Sequence, residues 1–126
     1  MSQNVIRIRV VLWIPDLFFS TRVREAARTL GVTVELPSRE RFVEHCRSYP
    51  PDRMFIDLAA PGGLDLAREL KSDPALASIP IVGFYPHVDQ ALRESALAAR
   101  VDQVLPRSAF TARLPALLTG EPRTGR

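Results

Sequence analysis

Four short stretches hold the side chains that could do chemistry: residues 14–18 with Asp16, residues 57–63 with Asp57, residues 85–89 with Tyr85 and His87, and residues 106–109 with Arg107. Asp57 closes the apolar run MFID, so a carboxylate stands at the end of what reads as a buried strand. Such a group can accept backbone hydrogen bonds or pair with a cation such as Arg107. His87 follows Tyr85 in a loop and reads as a surface residue. A transition-metal site needs several convergent nitrogen or sulfur ligands, and no second His or Cys stands at ligand spacing to it. The sole cysteine, Cys46, excludes an internal disulfide and a thiolate-rich metal centre. It reads as a small buried apolar residue. No G-x-G-x-x-G follows the first strand, and there is no nucleophile elbow or phosphate-cradling loop; Pro61, Gly62 and Gly63 read as a tight turn. The expectation is a protein that is not an enzyme and carries no cofactor.

These stretches are spaced as loops between alternating strands and helices. Strands are predicted over residues 6–13, 32–36, 54–58, 79–85 and 101–105. Between them, Phe19, Val23, Ala26, Ala27 and Leu30 stripe a first helix that stops at Gly31, with Asp16 expected to cap it. Ser38 is placed to cap a second helix with Phe42, Val43 and Cys46 inward. Leu66, Ala67 and Leu70 face inward on a third, which ends near Asp73 and Pro74. Val88, Leu92, Ala96 and Ala99 stripe a fourth helix, and Ser108 is placed to cap a last one carrying Phe110, Leu114, Leu117 and Leu118. Pro115 should bend that helix or split off its final turn. Parallel strands need right-handed crossovers, so the alternation implies an α/β sandwich with helices on both faces of a parallel sheet. In such sheets ligands gather beyond the carboxyl ends of the strands, where the four stretches lie.

The 126 residues, 46% of them hydrophobic and 25% charged, suit one soluble domain, expected over residues 1–120 with a flexible polar tail at 121–126. No apolar run reaches the roughly 18 residues of a membrane-spanning helix, and no leader segment is evident, so a cytoplasmic location and no membrane partner are expected. The net charge of +3 comes from residues 1–53, where arginines alternate with Glu25, Glu40 and Glu44 as on solvated helix faces. That pattern does not predict a nucleic-acid partner. The use of sixteen Arg against one Lys, Lys71, reads as a genomic bias without functional weight.

Three segments, in order and at matching spacing, resemble the response-regulator receiver (CheY-like) family. PDRMFIDLAAPGG is similar to its third strand and following loop, LARELKSDPALASIPIVGF to its third helix and fourth strand, and VDQVLPRSAF to its fifth strand and the loop after it. The resemblance implies a flavodoxin-like fold with strand order 2-1-3-4-5 and puts the family's phospho-acceptor at Asp57, with Pro61 four residues on. It also exposes departures. The family's acidic pair after the first strand is replaced by Trp13, Ile14 and Pro15, leaving Asp16 nearby. Its small hydroxyl at the end of the fourth strand falls on Tyr85, and its lysine after the fifth strand falls on Arg107, which can pair with a carboxylate or phosphate but whose planar fork is longer and shaped differently from an ammonium. Gly63 stands for an Asp-Gly pair, shortening the loop by two residues.

The implied function is therefore a pseudo-receiver that works as a phosphorylation-independent interaction module in bacterial signalling. The alternatives are a divergent receiver that still takes a phosphoryl group on Asp57 with Mg2+, and a small flavodoxin-like enzyme or ligand binder. Trp13, Ile14, Leu17 and Phe18 are expected to fill the vacated ligand pocket; otherwise they form an exposed patch. Tyr85 is expected to be fixed, either inward or outward. The partner implied is another signalling protein, a kinase, effector or regulator, or a second copy. It would dock on the fourth helix, fifth strand and last helix through Gln90, Arg93, Glu94, Arg100 and Gln103.

Overall fold

In a computed structural model that describes residues 7–120, side chains alternate across a five-stranded parallel sheet and so separate two apolar layers. The strands are β1 (Arg9–Trp13), β2 (Thr33–Glu35), β3 (Arg53–Asp57), β4 (Ile81–Tyr85) and β5 (Gln103–Pro106), in the order β2-β1-β3-β4-β5. The helices are α1 (Leu17–Leu30), α2 (Arg39–Ser48), α3 (Gly63–Ser72), α4 (Gln90–Ala98), α5 (Arg107–Ala112) and α6 (Leu114–Thr119). Val10, Leu12, Phe55, Val82 and Phe84 point to the layer filled by α1, α5 and α6. Val11, Met54, Ile56 and Ile81 point to the layer of α2, α3 and α4. In the first layer the rings of Phe19, Phe55 and Phe84 surround Phe110 with centroids 4.6–5.8 Å away, two of the contacts tilted and one edge-to-face.

Asp16 caps α1 as expected, its Oδ1 accepting from the Phe19 amide at 3.1 Å. Ser38 stands at the start of α2 but makes no side-chain capping bond. Ser108 does not cap the last helix: α5 begins one residue earlier, at Arg107 behind Pro106. The expected split occurs, with the chain breaking at Arg113 and Pro115 falling in the first turn of α6, where its missing N–H goes unneeded. Val88, expected on the inward stripe of α4, is 75% exposed, because it precedes the true cap, Asp89. β4 starts at Ile81 and not at residue 79, since Ile79 closes a turn onto Leu76 and Pro80 has no amide to give the ladder. The predicted start of β1 at residue 6 and the tail at 121–126 lie outside the described residues.

Polar ties fix the helices to the sheet. Lys71 is buried on α3, and its ammonium donates to the carbonyls of Ala77 (2.9 Å) and Ile79 (3.3 Å) and reaches Asp102 Oδ2 at 2.6 Å. Asp102 Oδ2 also accepts from the Ile81 amide, so one ion pair joins α3, β4 and the approach to β5.

Across the sheet, Glu35 accepts from Arg9 Nε and Nη2 at 2.9 and 2.7 Å and lies 2.6 Å from His45 Nε2, tying β1, β2 and α2. The Arg9 bonds, with His45 adding to them, hold the Glu35 carboxyl down at about 2. A carboxyl depressed in the folded state stabilises above its unfolded value near 4.5 and loses that contribution as pH falls toward 2. Urea unfolding at pH 5 and pH 2.5 should therefore differ by about 2 kcal/mol more in the native chain than in Glu35→Gln, a figure reduced for the water that still reaches the pair. An equal acid loss in both proteins would remove Glu35 from the acid sensitivity.

Candidate functional site

Loop geometry gathers Asp57, Tyr85 and Arg107 around one cleft of about 280 Å³ at the carboxyl ends of β3, β4 and β5, lined also by Ala59, Ala60, Phe84 and Pro86. Asp57 ends β3 half-buried, and its Oδ1 accepts from the amides of Ala59 (3.1 Å) and Ala60 (3.2 Å). Burial pushes its carboxyl above the usual aspartate range, against the opposing pull of those two amides and of Arg107. The short loop brings α3 hard against the strand: a Cβ at Gly63 would lie 2.0 Å from the Asp57 carbonyl oxygen. Gly62, at φ +90°, makes the turn that permits this approach.

The possible Asp57–Arg107 pair is not formed. Arg107 Nη2 instead reaches Asp16 Oδ2 at 3.3 Å, and its guanidinium lies 4.0 Å from the centre of the Phe19 ring. Two attractions from α1 hold it there, while the amides of the β3–α3 loop occupy one oxygen of Asp57. The cap bond from Phe19 and the contact with Arg107 hold the Asp16 carboxyl below its ordinary range. Asp16 thus serves as a helix cap and as the counter-ion of Arg107.

Tyr85 is turned inward, 3% exposed. The apolar four divide. Ile14 is buried and Trp13 half-buried, but Leu17 is 79% and Phe18 88% exposed, so these two do not fill the pocket. The reason is helical phase: with Phe19, Val23 and Ala27 turned to the core, positions 17 and 18 fall on the solvent side. His87 is exposed, as are Gln90, Arg93, Glu94 and Arg100; Gln103 is half-buried on β5. Cys46 is fully buried, and burial raises its thiol to about 12, which makes it unreactive.

A hard divalent cation takes several oxygen ligands. Asp57 offers one uncommitted oxygen, Asp16 is engaged with Arg107, and Trp13, Ile14 and Pro15 bring no side-chain oxygen at all. Among the described residues no three of His, Cys, Asp and Glu converge as a metal-ligand group. The donor set does not fit Mg2+.

No family model and no curated protein matches the chain. Solved structures do. A response regulator from Chloroflexus aurantiacus superposes with a TM-score of 0.77 at 17% identity over 90% of this chain and 99% of that one. The chemotaxis response regulator CheY4 of Vibrio cholerae gives 0.77 at 14% over 91% and 98%. The chain has the receiver fold. The receiver domain of a sensor histidine kinase from Pseudomonas aeruginosa PAO1, with a TM-score of 0.74 at 20% identity over 92% and 100%, holds a magnesium ion in its active-site cleft. Sequence reasoning placed Asp57, Tyr85 and Arg107 at that cleft but missed that Arg107 belongs to Asp16 and Phe19, which no local pattern signals.

Proposed function

We propose that this receiver fold is a pseudo-receiver, a phosphorylation-independent protein-interaction module in bacterial signal transduction, cytoplasmic and without catalytic residues or a cofactor. The observation that carries the reading is the Asp16–Arg107 pair: it takes up the one acidic group near the end of β1 and leaves Asp57 without a co-ligand. The partner is another signalling protein, a kinase, effector or regulator, or a second copy. Its surface is the exposed face of α4, β5 and α5, where Gln90, Arg93, Glu94 and Arg100 are free of the core and Gln103 is half-buried. The rival reading, a phosphorylatable receiver, draws on the half-buried carboxylate of Asp57 at a strand end.

Thermal melting separates the two. A ligand tenfold above its dissociation constant stabilises a fold by about 1.4 kcal/mol, which for a domain of this size is roughly 3 to 8 °C. No shift is expected with Mg2+, or with Mg2+ and beryllofluoride, a phosphoryl mimic on aspartate. A shift of that size that vanishes in Asp57→Asn would establish the rival.

A further inference from the structure

Asp57 is a half-buried carboxylate that no cation contacts, with only the more distant pull of Arg107 on its charge. Its Oδ1 is taken by the Ala59 and Ala60 amides, and among the described residues no ion pair forms at it. The nearest cation, Arg107, is committed to Asp16 and to the face of Phe19. A carboxylate partly removed from water without a counter-charge is unfavourable, and the space beside it is open, a cleft of about 280 Å³ walled by Phe84, Tyr85 and Pro86. A divalent ion would need oxygens that this cleft does not supply. An alkylammonium or guanidinium needs one or two acceptors for its head and an apolar wall for its methylene stem.

From this mismatch we infer that the cleft is a socket for a basic side chain of a partner protein, a lysine or arginine whose head binds Asp57 Oδ2 while its stem lies along the accessible apolar lining of Ala59, Ala60 and Pro86. The inference rests on the pseudo-receiver reading, because a cleft that took Mg2+ would have no place for this cation. Arg107 sets a like charge at the rim and so opposes entry of the head. Removing that charge should tighten binding.

The test follows the Ala59 and Ala60 amides by 1H–15N NMR, since both donate to the carboxylate that would be engaged. The probe is Nα-acetyl-lysine methylamide, titrated against NaCl of equal ionic strength and, separately, against MgCl2. The expected result is a saturable shift of both amides with the lysine probe alone, lost in Asp57→Asn and reached at lower probe concentration in Arg107→Ala. A response equal to that of NaCl, one that survives in Asp57→Asn, or one that weakens in Arg107→Ala would overturn the socket. If Asp57→Asn fails to fold, the direction of the Arg107→Ala change still decides. Silence toward both lysine and Mg2+ removes the socket and leaves the pseudo-receiver reading standing; saturation by Mg2+ removes both.

Discussion

Replacing Lys71 with methionine is expected to lower stability by about 3 kcal/mol, toward the low end for removing one partner of a buried ion pair because water still reaches Asp102. Methionine fills much of the same space but donates nothing. The carbonyls of Ala77 and Ile79 lose a donor, and Asp102 keeps only the Ile81 amide. Arginine is no remedy, since its planar fork cannot spread three donors around one nitrogen as an ammonium does. Urea unfolding of Lys71→Met and of Lys71→Met/Asp102→Asn checks the account. The double variant should regain part of the loss, because the second change removes the uncompensated charge while an amide oxygen can still accept from Ile81. A single variant within about 0.5 kcal/mol of the parent, the range of ordinary surface changes, would show that the ammonium is not a structural tie.

Gly63→Ala is expected to cost about 3 kcal/mol, the upper end of the usual range for forcing volume into a filled site. Its Cβ would stand 2.0 Å from the Asp57 carbonyl oxygen and 3.0 Å from the carbonyl carbon, so backbone, not a flexible side chain, has to move. Either α3 retreats or the end of β3 does, and both displace Asp57. Gly62→Ala is the control. Its neighbour, the Arg39 side chain, is 3.6 Å away, and the penalty there is the left-handed backbone at φ +90°, about 1 kcal/mol. The melting temperature of Gly63→Ala should fall well below that of Gly62→Ala. The reverse order would mean that the close approach of α3 to β3 does not constrain the site.

What the sequence made legible follows from the range of each interaction. The strands could be read because a parallel strand covered on both faces is a short unbroken apolar run, as Val10 to Trp13 and Met54 to Ile56 are. The Asp16 cap could be read because its partner, the Phe19 amide, is three residues away. Arg107 could be placed at the cleft but not given its partner, because Asp16 is 91 residues distant and the Phe19 ring became available only when α1 packed against α5. Leu17 and Phe18 misled for another reason. Apolar side chains beside a vacated pocket suggest filling it, but α1 takes its rotation from Phe19, Val23 and Ala27, which leaves positions 17 and 18 off that stripe and toward solvent. Lys71 was lost in composition: one lysine among sixteen arginines read as genomic bias, yet it sits where an ammonium has three acceptors.

The pseudo-receiver account stands or falls on whether Asp57 takes a phosphoryl group. Intact-mass spectrometry after incubation with acetyl phosphate and Mg2+, read before any acyl phosphate could hydrolyse, asks this directly. An unchanged mass is predicted, in the native chain and in Asp57→Asn alike, because Asp16 is held by Arg107 and no second ligand joins Asp57. A mass increase of one phosphoryl group in the native chain, absent in Asp57→Asn, would contradict it.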